Sequence, residues 1–514
     1  MKMLGYIFSD IEKITTKPVI VSGKLAVDLM NNPEFLHSWD NLYRNCEWAT
    51  IFQSKEFVRS WYENNSDIFS PIIILCIEED NIKSLLFLTA KTNGKPIKVN
   101  SSLEIKGAGL FDAEYQVWLS GSEDDGFLMN AIEALFEEYP NCHFSLRFIP
   151  AKNLINPLIN NTQWKKHLVS VNHHRPLMDF KLTDEQKLFR KRHLKAKFNR
   201  INRVGKIELK EINDPDEFRA VLKEVLVHLD FRQAAMFNKI PSKKDPQRPY
   251  FLQSLFESGI LHVTVLTLDG EIISSIIGVK DHQWIHLAGL ISFSPFHAKH
   301  SPSLVHLFML GQLMKDQGYM VFDLTPGDDG YKERISTSSD EVVEISISKN
   351  VKFKLKKSVK KIIHKSLLKL NVRPMSFELS LKKQKYLFKN KIVKKLQKPD
   401  RTADSQDITD IKAIVFKKND LKELLLFNDP SGETQWEFLE NASKLISEGL
   451  HFYTYSSQNI LRCCIWFDQE EDQNLEIPTG SITPKIVQHY LHPSFKRYER
   501  VVLDNVTSIL KNIP

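Results

Sequence analysis

The stretch from Trp284 to Leu324, "WIHLAGLISFSPFHAKHSPSLVHLFMLGQLMKDQGYMVFDL", constrains the fold more than any other part of the chain. It reads as an apolar strand, an irregular loop, a helix that stops at Gly318, and a second buried strand. Two strands joined through a helix of this length form a right-handed crossover, with the strands parallel or splayed apart. Ser301 is the predicted N-cap and Pro302 the first-turn proline, so free amides and the positive end of the helix dipole face the mouth between the strands. A ligand crevice is expected there.

The flanking pattern mixes strands and helices. "LHVTVLTLDG" and "EIISSIIGVK" meet at Asp269-Gly270, a strong hairpin dipeptide, behind the helical stretch "PDEFRAVLKEVLVHLDFRQAAM". Upstream, Thr183-x-x-Gln186 forms a capping box and Gly205 supplies a left-handed stop, bracketing a basic helix of about twenty residues. Between Trp48 and Pro150, "PIIILCI" and "SLLFLTA" pair across a polar turn, "YQVWLSG" alternates as a strand, and "HFSLRFI" is a buried strand. Leu128, Ile132, Leu135 and Phe136 share one helical face.

At 514 residues the chain exceeds one ordinary core, so two to four domains of roughly 100–200 residues are expected. An apolar fraction of 42% and a charged fraction of 26% are those of globular proteins, and no apolar run approaches the ~20 residues that span a bilayer. The early residues meet Asp10 and Glu12 before any long apolar core, unlike a secretory signal, and five scattered cysteines make a poor disulfide framework. A cytoplasmic protein, soluble or peripheral at the inner membrane, is the expectation. The net charge of +7 conceals an asymmetry: residues 351–398 hold seventeen Lys/Arg against the single acid Glu378, a balance of +16 that leaves the rest at −9. Leu355, Val359, Ile362, Ile363, Leu367 and Leu370 fall near helical spacing there, so the stretch "KFKLKKSVKKIIHKSLLKL" reads as an amphipathic helix packed on the body with its lysines outward. Anionic lipid, an acidic acyl carrier protein or RNA are the partners such a strip suits. The polar linker "QKPDRTADSQD" marks the next boundary.

From about residue 165 to 335 the chain resembles the GNAT superfamily, in its CelD-like branch of cellulose and exopolysaccharide biosynthesis proteins. The residues that carry the resemblance are "FRKRHLKAKFNRINRVGKIEL", then "LVHLDFRQAAMF", then "SPSLVHLFMLGQLMKDQGYMVFDLTPGDDGYKER". Residues 48–150 look like the preceding half, which implies a tandem arrangement similar to FemAB-type transferases. "IVQHYLHPSFKRYERVVL" resembles a GNAT cofactor turn that has lost both glycines, with Glu499 at the helix entrance. The implied fold is α/β (α+β): tandem GNAT-like domains with mixed central sheets, at 1–165 and 166–350, a basic helical segment at 351–400, and a degenerate GNAT-like domain at 401–514.

The resemblance implies attack of an amine or hydroxyl on an acyl thioester, borne by coenzyme A or an acyl carrier, with a strand amide polarising the carbonyl. Tyr331 lies where such folds place the acid for the leaving thiolate, against the alternative of a packed lid residue. Asp323 is a general base or an acceptor for its own turn's amides, and Lys332 either pairs with Asp323 or Asp328 or holds an anionic substrate. His228 and Arg232, one helical turn apart, form a polar substrate wall with His286 and Asp328, and Ser301, Ser303 and Leu304 take the cofactor. The implied acceptor is a small molecule or glycan precursor, and aminoacyl-tRNA is the alternative donor. A non-catalytic scaffold of a polymer-assembly complex is the rival from another class. His297, His300 and His306 lack a carboxylate or cysteine partner in register, so no metal is expected. No phosphate loop, nucleophile elbow or dinucleotide fingerprint occurs, which argues against phosphoryl transfer, serine hydrolysis and hydride transfer.

Overall fold

A computed structural model describes residues 17–78, 81–121, 126–150, 152–181, 192–327, 329–370, 372–396, 414–429, 432–468 and 485–511. Strands β1 (Val19–Ser22), β2 (Phe69–Glu78), β3 (Asn81–Lys91), β4 (Glu104–Gly107), β5 (Leu119–Ser120) and β6 (His143–Ile149) come first, with helix α1 (Phe127–Glu138) before β6. The next set is β7 (Leu168–Asp179), β8 (Ile207–Glu211), β9 (Leu261–Leu268), β10 (Glu271–Asp281), β11 (Trp284–Phe293), β12 (Val321–Asp323) and β13 (Ser338–Ser348). Helices α2 (Pro215–Phe237), α3 (Pro302–Asp316) and α4 (Gly330–Ile335) lie among them. Together the strands make one mixed sheet in the order β1-β2-β3-β4-β6-β13-β7-β12-β11-β10-β9-β8, with β5 beside β3.

The two sets repeat one plan. β2, β3 and β4 are antiparallel neighbours and β4 runs parallel to β6; β9, β10 and β11 are antiparallel and β11 runs parallel to β12. A helix precedes the parallel strand in each. The sets are joined through their neighbouring strands: β13 of the second set pairs with β6 of the first, β7 pairs with β12, and β7 and β13 zip together from Ser338↔Leu177 to Ile347↔Leu168. One sheet therefore holds the strands of both sets.

Local chemistry explains most elements. β2 and β3 are continuous apolar runs because their central residues, Ile72 to Leu75 and Leu85 to Leu88, are buried whichever face they point to. Leu128, Ile132, Leu135 and Phe136 bury the inner face of α1. The Asp269-Gly270 turn has both residues at positive φ, 50° and 88°, as a tight hairpin between strands of right-handed twist demands.

Two expectations needed correcting. "YQVWLSG" is a strand over Leu119–Ser120, and Tyr115 to Trp118 are all buried, so no alternation is possible where the chain threads between the two halves. Gly205 does not stop a helix in the left-handed region; a Cβ there would fall 2.0 Å from the Asp269 carboxylate, so close approach selects glycine. The basic helix ahead of it spans Arg192–Ile201 among the described residues, and Thr183 and Gln186 lie outside them.

Beyond β13 come two helices: α5 (Val351–Lys369), which is the amphipathic helix expected over 352–370, and α6 (Pro374–Leu396) after it. No side chain of α5 is buried, and the apolar stripe faces away from the body, contrary to expectation. The polar linker at 397–407 lies outside the described residues. The C-terminal unit has an antiparallel sheet of β14 (Lys417–Lys418), β15 (His451–Ser457), β16 (Ile460–Asp468) and β17 (Lys485–Leu491). It packs on α2 through Phe231, Ala234 and Ala235, and the Trp436 indole donates to the Ala235 carbonyl at 3.0 Å. Among the described residues no helix is long and apolar enough to cross a membrane.

Candidate active site

β11 and β12 pair as parallel strands over three positions, Trp284↔Val321, Ile285↔Phe322 and His286↔Asp323, and then part. At that point β11 bulges. Its pairing with β10 jumps from Val279↔His286 to Ile277↔Leu290, so Leu287, Ala288 and Gly289 stand opposite the single Gly278. A bulge interrupts the ladder, here beside the gap that opens between β11 and β12. Gly278 permits it, because a Cβ there would meet the Ile285 side chain at 2.7 Å and the His286 carbonyl at 3.2 Å.

Helix α3 starts at the same end of the crevice, but its cap is not the one predicted. Ser301 occupies the N-cap in the left-handed region (φ 56°), which turns its hydroxyl away from the first amides; the hydroxyl accepts from the Lys197 ammonium at 2.8 Å instead. The Leu304 amide is committed to the Ser301 carbonyl at 3.0 Å, so Leu304 offers no free donor. The Ser303 hydroxyl, by contrast, is buried without a hydrogen-bond partner among the described residues, as are Ser294 Oγ and His300 Nδ1 nearby in sequence. A helix start with the Lys197 cation beside it and an orphaned hydroxyl in its first turn fits the anionic head of a donor such as coenzyme A.

Tyr331 and Arg232 meet at the mouth. Arg232 donates to the Ile291 carbonyl of β11, lies 5.2 Å over the Phe293 ring, and is near enough for its charge to act on the Tyr331 phenol. Burial, reinforced by Asp329 and opposed by Arg232, pushes that phenol up to about 12, so Tyr331 keeps its proton at neutral pH and remains a donor. His228 does not share this site, although it lies one turn away on α2. It lines a cavity of about 740 Å³ against the C-terminal unit with Glu271, His297 and His451, and burial lowers its imidazole to about 4. The predicted wall of His228 and Arg232 is therefore two separate environments. His306 is buried against Thr264 and Ser274, and among the described residues no group of three or more His, Cys, Asp or Glu side chains could hold a metal.

Asp323 and His286 are sealed inside the sheet and present nothing to a substrate. Asp323 Oδ2 accepts from the Tyr115 hydroxyl and from His286 Nδ1 at 2.8 Å, with Arg175 at 3.9 Å, while Oδ1 accepts the Thr325 amide at 2.8 Å. Its reading as an acceptor for its own turn fits this geometry; that of general base does not. His286 Nε2 stands 3.8 Å from Asp281, which in turn accepts the Ile51 amide at 2.9 Å and the Tyr43 hydroxyl at 3.2 Å. Burial opposes both charges, yet each outweighs it for the other: His286 and Arg175 hold the Asp323 carboxyl below the usual range, and Asp281 with Asp323 holds the His286 imidazole above its ordinary value. Arg175 closes the group, gripping Asp340 and lying 5.1 Å over the Tyr115 ring. Tyr115, Tyr43 and Ile51 come from the first set of strands and their helices, so this polar cluster joins the two halves directly beneath the crevice. Sequence reading missed Tyr115, Arg175, Asp281 and Lys197. A lone arginine inside the strand "HHRPLMDF" was the one visible signal.

Among the described residues Lys332 does not bond Asp323 directly. Its buried ammonium bonds the Thr325 carbonyl and hydroxyl, both at 3.0 Å, and stands 3.6 Å from Asp329, while Asp328 lies outside the described residues. It clamps a turn in which the β-branched Thr325 is held in the strained left-handed region at φ 64° and Gly327 takes φ 142° as only glycine does readily. Lys332→Met is expected to cost about 1–3 kcal/mol by leaving buried acceptors unpaired, read as a lower denaturation midpoint. An unchanged midpoint would remove the clamp from the account.

Comparison with known proteins adds the following. Residues 189–333 match the family model of an acetyltransferase (GNAT) domain, and no curated protein matches the chain. Among solved structures, FemX aligns at 8% identity with a TM-score of 0.42, covering 63% of this chain and 98% of its own. A conserved protein of unknown function from Bacteroides thetaiotaomicron VPI-5482 aligns at 11% identity and TM-score 0.41, over 61% of this chain and 97% of that one. A tandem GNAT protein from the clavulanic acid biosynthesis pathway aligns at 9% identity and TM-score 0.37, over 65% and 98%.

Proposed function

We propose that the chain, an enzyme with a GNAT-type acyltransferase domain, moves an acyl group from a thioester of coenzyme A or an acyl carrier to an amine or hydroxyl of a small molecule or glycan precursor. The observation that carries this reading is the coincidence of the Leu287–Gly289 bulge with the point where β11 and β12 part. A bound donor supplies an activated carbonyl. The bulge amides meet the charge that develops on its oxygen, and Tyr331 donates a proton toward the departing sulfur. Lys197 and the Ser303 hydroxyl hold the anionic head at the start of α3. Arg232 orients the phenol, and the Asp323–His286–Arg175 cluster fixes the floor.

The order of motifs supports the CelD-like, polysaccharide-assembly branch and a cytoplasmic setting, peripheral to the inner membrane, with functional divisions at 1–165, 166–350, 351–400 and 401–514. A FemAB-like transferase using aminoacyl-tRNA is the second reading, favoured by the basic helix Arg192–Ile201 that brings Lys197 to Ser301. Thermal unfolding with acetyl-CoA, long-chain acyl-CoA, acyl carrier protein or tRNA separates them. A cognate donor at a hundred times its Kd is expected to add about 2.7 kcal/mol. Stabilisation by tRNA alone would move the assignment to the second reading, and a flat response to all four would leave a scaffold.

A further inference from the structure

We infer that the outer face of the α5–α6 hairpin is a docking surface for an anionic lipid bilayer. The orientation of α5 is the primary observation. Its inward stripe is mainly basic: Lys357 reaches Glu344 at 3.5 Å, the ammonium groups of Lys354 and Lys361 donate to the Lys166 and Ser170 carbonyls, and one aromatic ring, Phe353, stacks on His143 at 4.1 Å. The outward stripe is aliphatic, with Leu355 and Ile362 each 63% exposed and Val359, Ile363 and Leu370 beside them. A helix whose purpose is to complete a soluble core has the opposite arrangement. α6 extends the same character with exposed Met375, Phe377, Leu381 and Phe388, and Glu378 ties the two helices together through Lys360 and His364.

Charge selects the occupant. Lys352, Lys356, Lys365 and Lys369 are exposed on α5, within a segment whose net charge is +16. A second copy would press one such segment against another across a two-fold axis, which like-charge repulsion opposes. RNA would neutralise the lysines but gain little from a row of Leu, Ile and Val, since nucleic-acid surfaces use aromatic or guanidinium faces to stack bases. An anionic bilayer takes both, burying the aliphatic row at the acyl boundary and meeting the lysines at its headgroups. The hairpin turn is fixed to the body by Arg373, which pairs with Asp329 on the turn that carries Tyr331. A bilayer beneath the hairpin thus lies beside the crevice mouth.

Co-sedimentation with vesicles of phosphatidylcholine, alone or mixed with phosphatidylglycerol, tests this surface separately from acyl transfer. The full chain is expected to pellet with the mixed vesicles and not with phosphatidylcholine alone. Leu355→Asp together with Ile362→Asp, both at exposed positions, is expected to weaken vesicle binding more than about tenfold. Lys352→Glu with Lys356→Glu is expected to lose about fivefold per lysine in a salt-dependent way. Circular dichroism and the acyl-CoA thermal shift report whether each variant retains its fold and donor site. Binding to mixed vesicles that neither pair of substitutions alters would overturn the inference. So would a lipid-free dimer that the aspartate pair dissolves, or RNA retention that the glutamate pair alone abolishes in a chain that ignores vesicles.

Discussion

Asp323→Asn is expected to lower stability by about 3–5 kcal/mol, because it removes one partner from a buried ion pair and leaves His286 and Arg175 facing a neutral amide. The pH dependence gives the same interaction a second signature. His286 is raised in the folded chain, so its contribution is complete below the unfolded histidine value and is lost as pH climbs through the higher folded one. Asp323 is lowered, so its contribution is complete above the unfolded aspartate value and is lost as pH falls through the lower folded one. The pair therefore contributes most between about pH 4 and 6.5. Chemical denaturation across pH should show that plateau in the parent chain and a flatter profile in Asp323→Asn. A variant with the parent's midpoint and profile would show that the cluster contributes nothing to joining the halves.

Tyr331→Phe is expected to reduce acyl transfer by about 10²-fold or more, the scale on which a positioned general acid acts. The change removes one hydroxyl from a half-buried side chain that packs against the apolar cluster containing Ile335, so the fold and the donor-induced thermal shift should be retained. Release of free thiol from acyl-CoA in the presence of an accepted amine is the measurement, with kcat and KM resolved. A fall in kcat at constant KM fits a proton donated in the transition state. Full activity in Tyr331→Phe would return the residue to packing and point the proton elsewhere. Because the phenol is raised to about 12, no alkaline limb from Tyr331 is expected in the neutral range.

Local pattern revealed a good deal of this. The strand–helix–strand unit from Trp284 to Leu324, the Asp269-Gly270 hairpin and the buried face of α1 follow from periodicity and turn chemistry, which act over a few residues. Tyr331 and Arg232 were picked out separately, ninety-nine positions apart in the numbering, and the fold brings the Arg232 charge near enough to act on the Tyr331 phenol. Pattern failed where partners are remote. Asp323 looked available on a turn, but Tyr115 is 208 positions away and His286 is 37, and together they bury it. Gly205 looked like a helix stop and is instead a close approach to Asp269.

The sequence by itself determined which segments are strands and helices, where the crossover helix begins, and that one segment carries a charge unlike the rest. Those properties depend on neighbours along the chain. Only the tertiary structure decided that β13 crosses to pair with β6 of the first set, that "FDLTPGDDGYKER" sends Asp323 inward, and that α5 turns Lys354, Lys357 and Lys361 toward the body and Leu355 and Ile362 out. Each of those outcomes depends on which distant surface a side chain meets, and amphipathic spacing is the same whether the apolar stripe faces the core or the solvent.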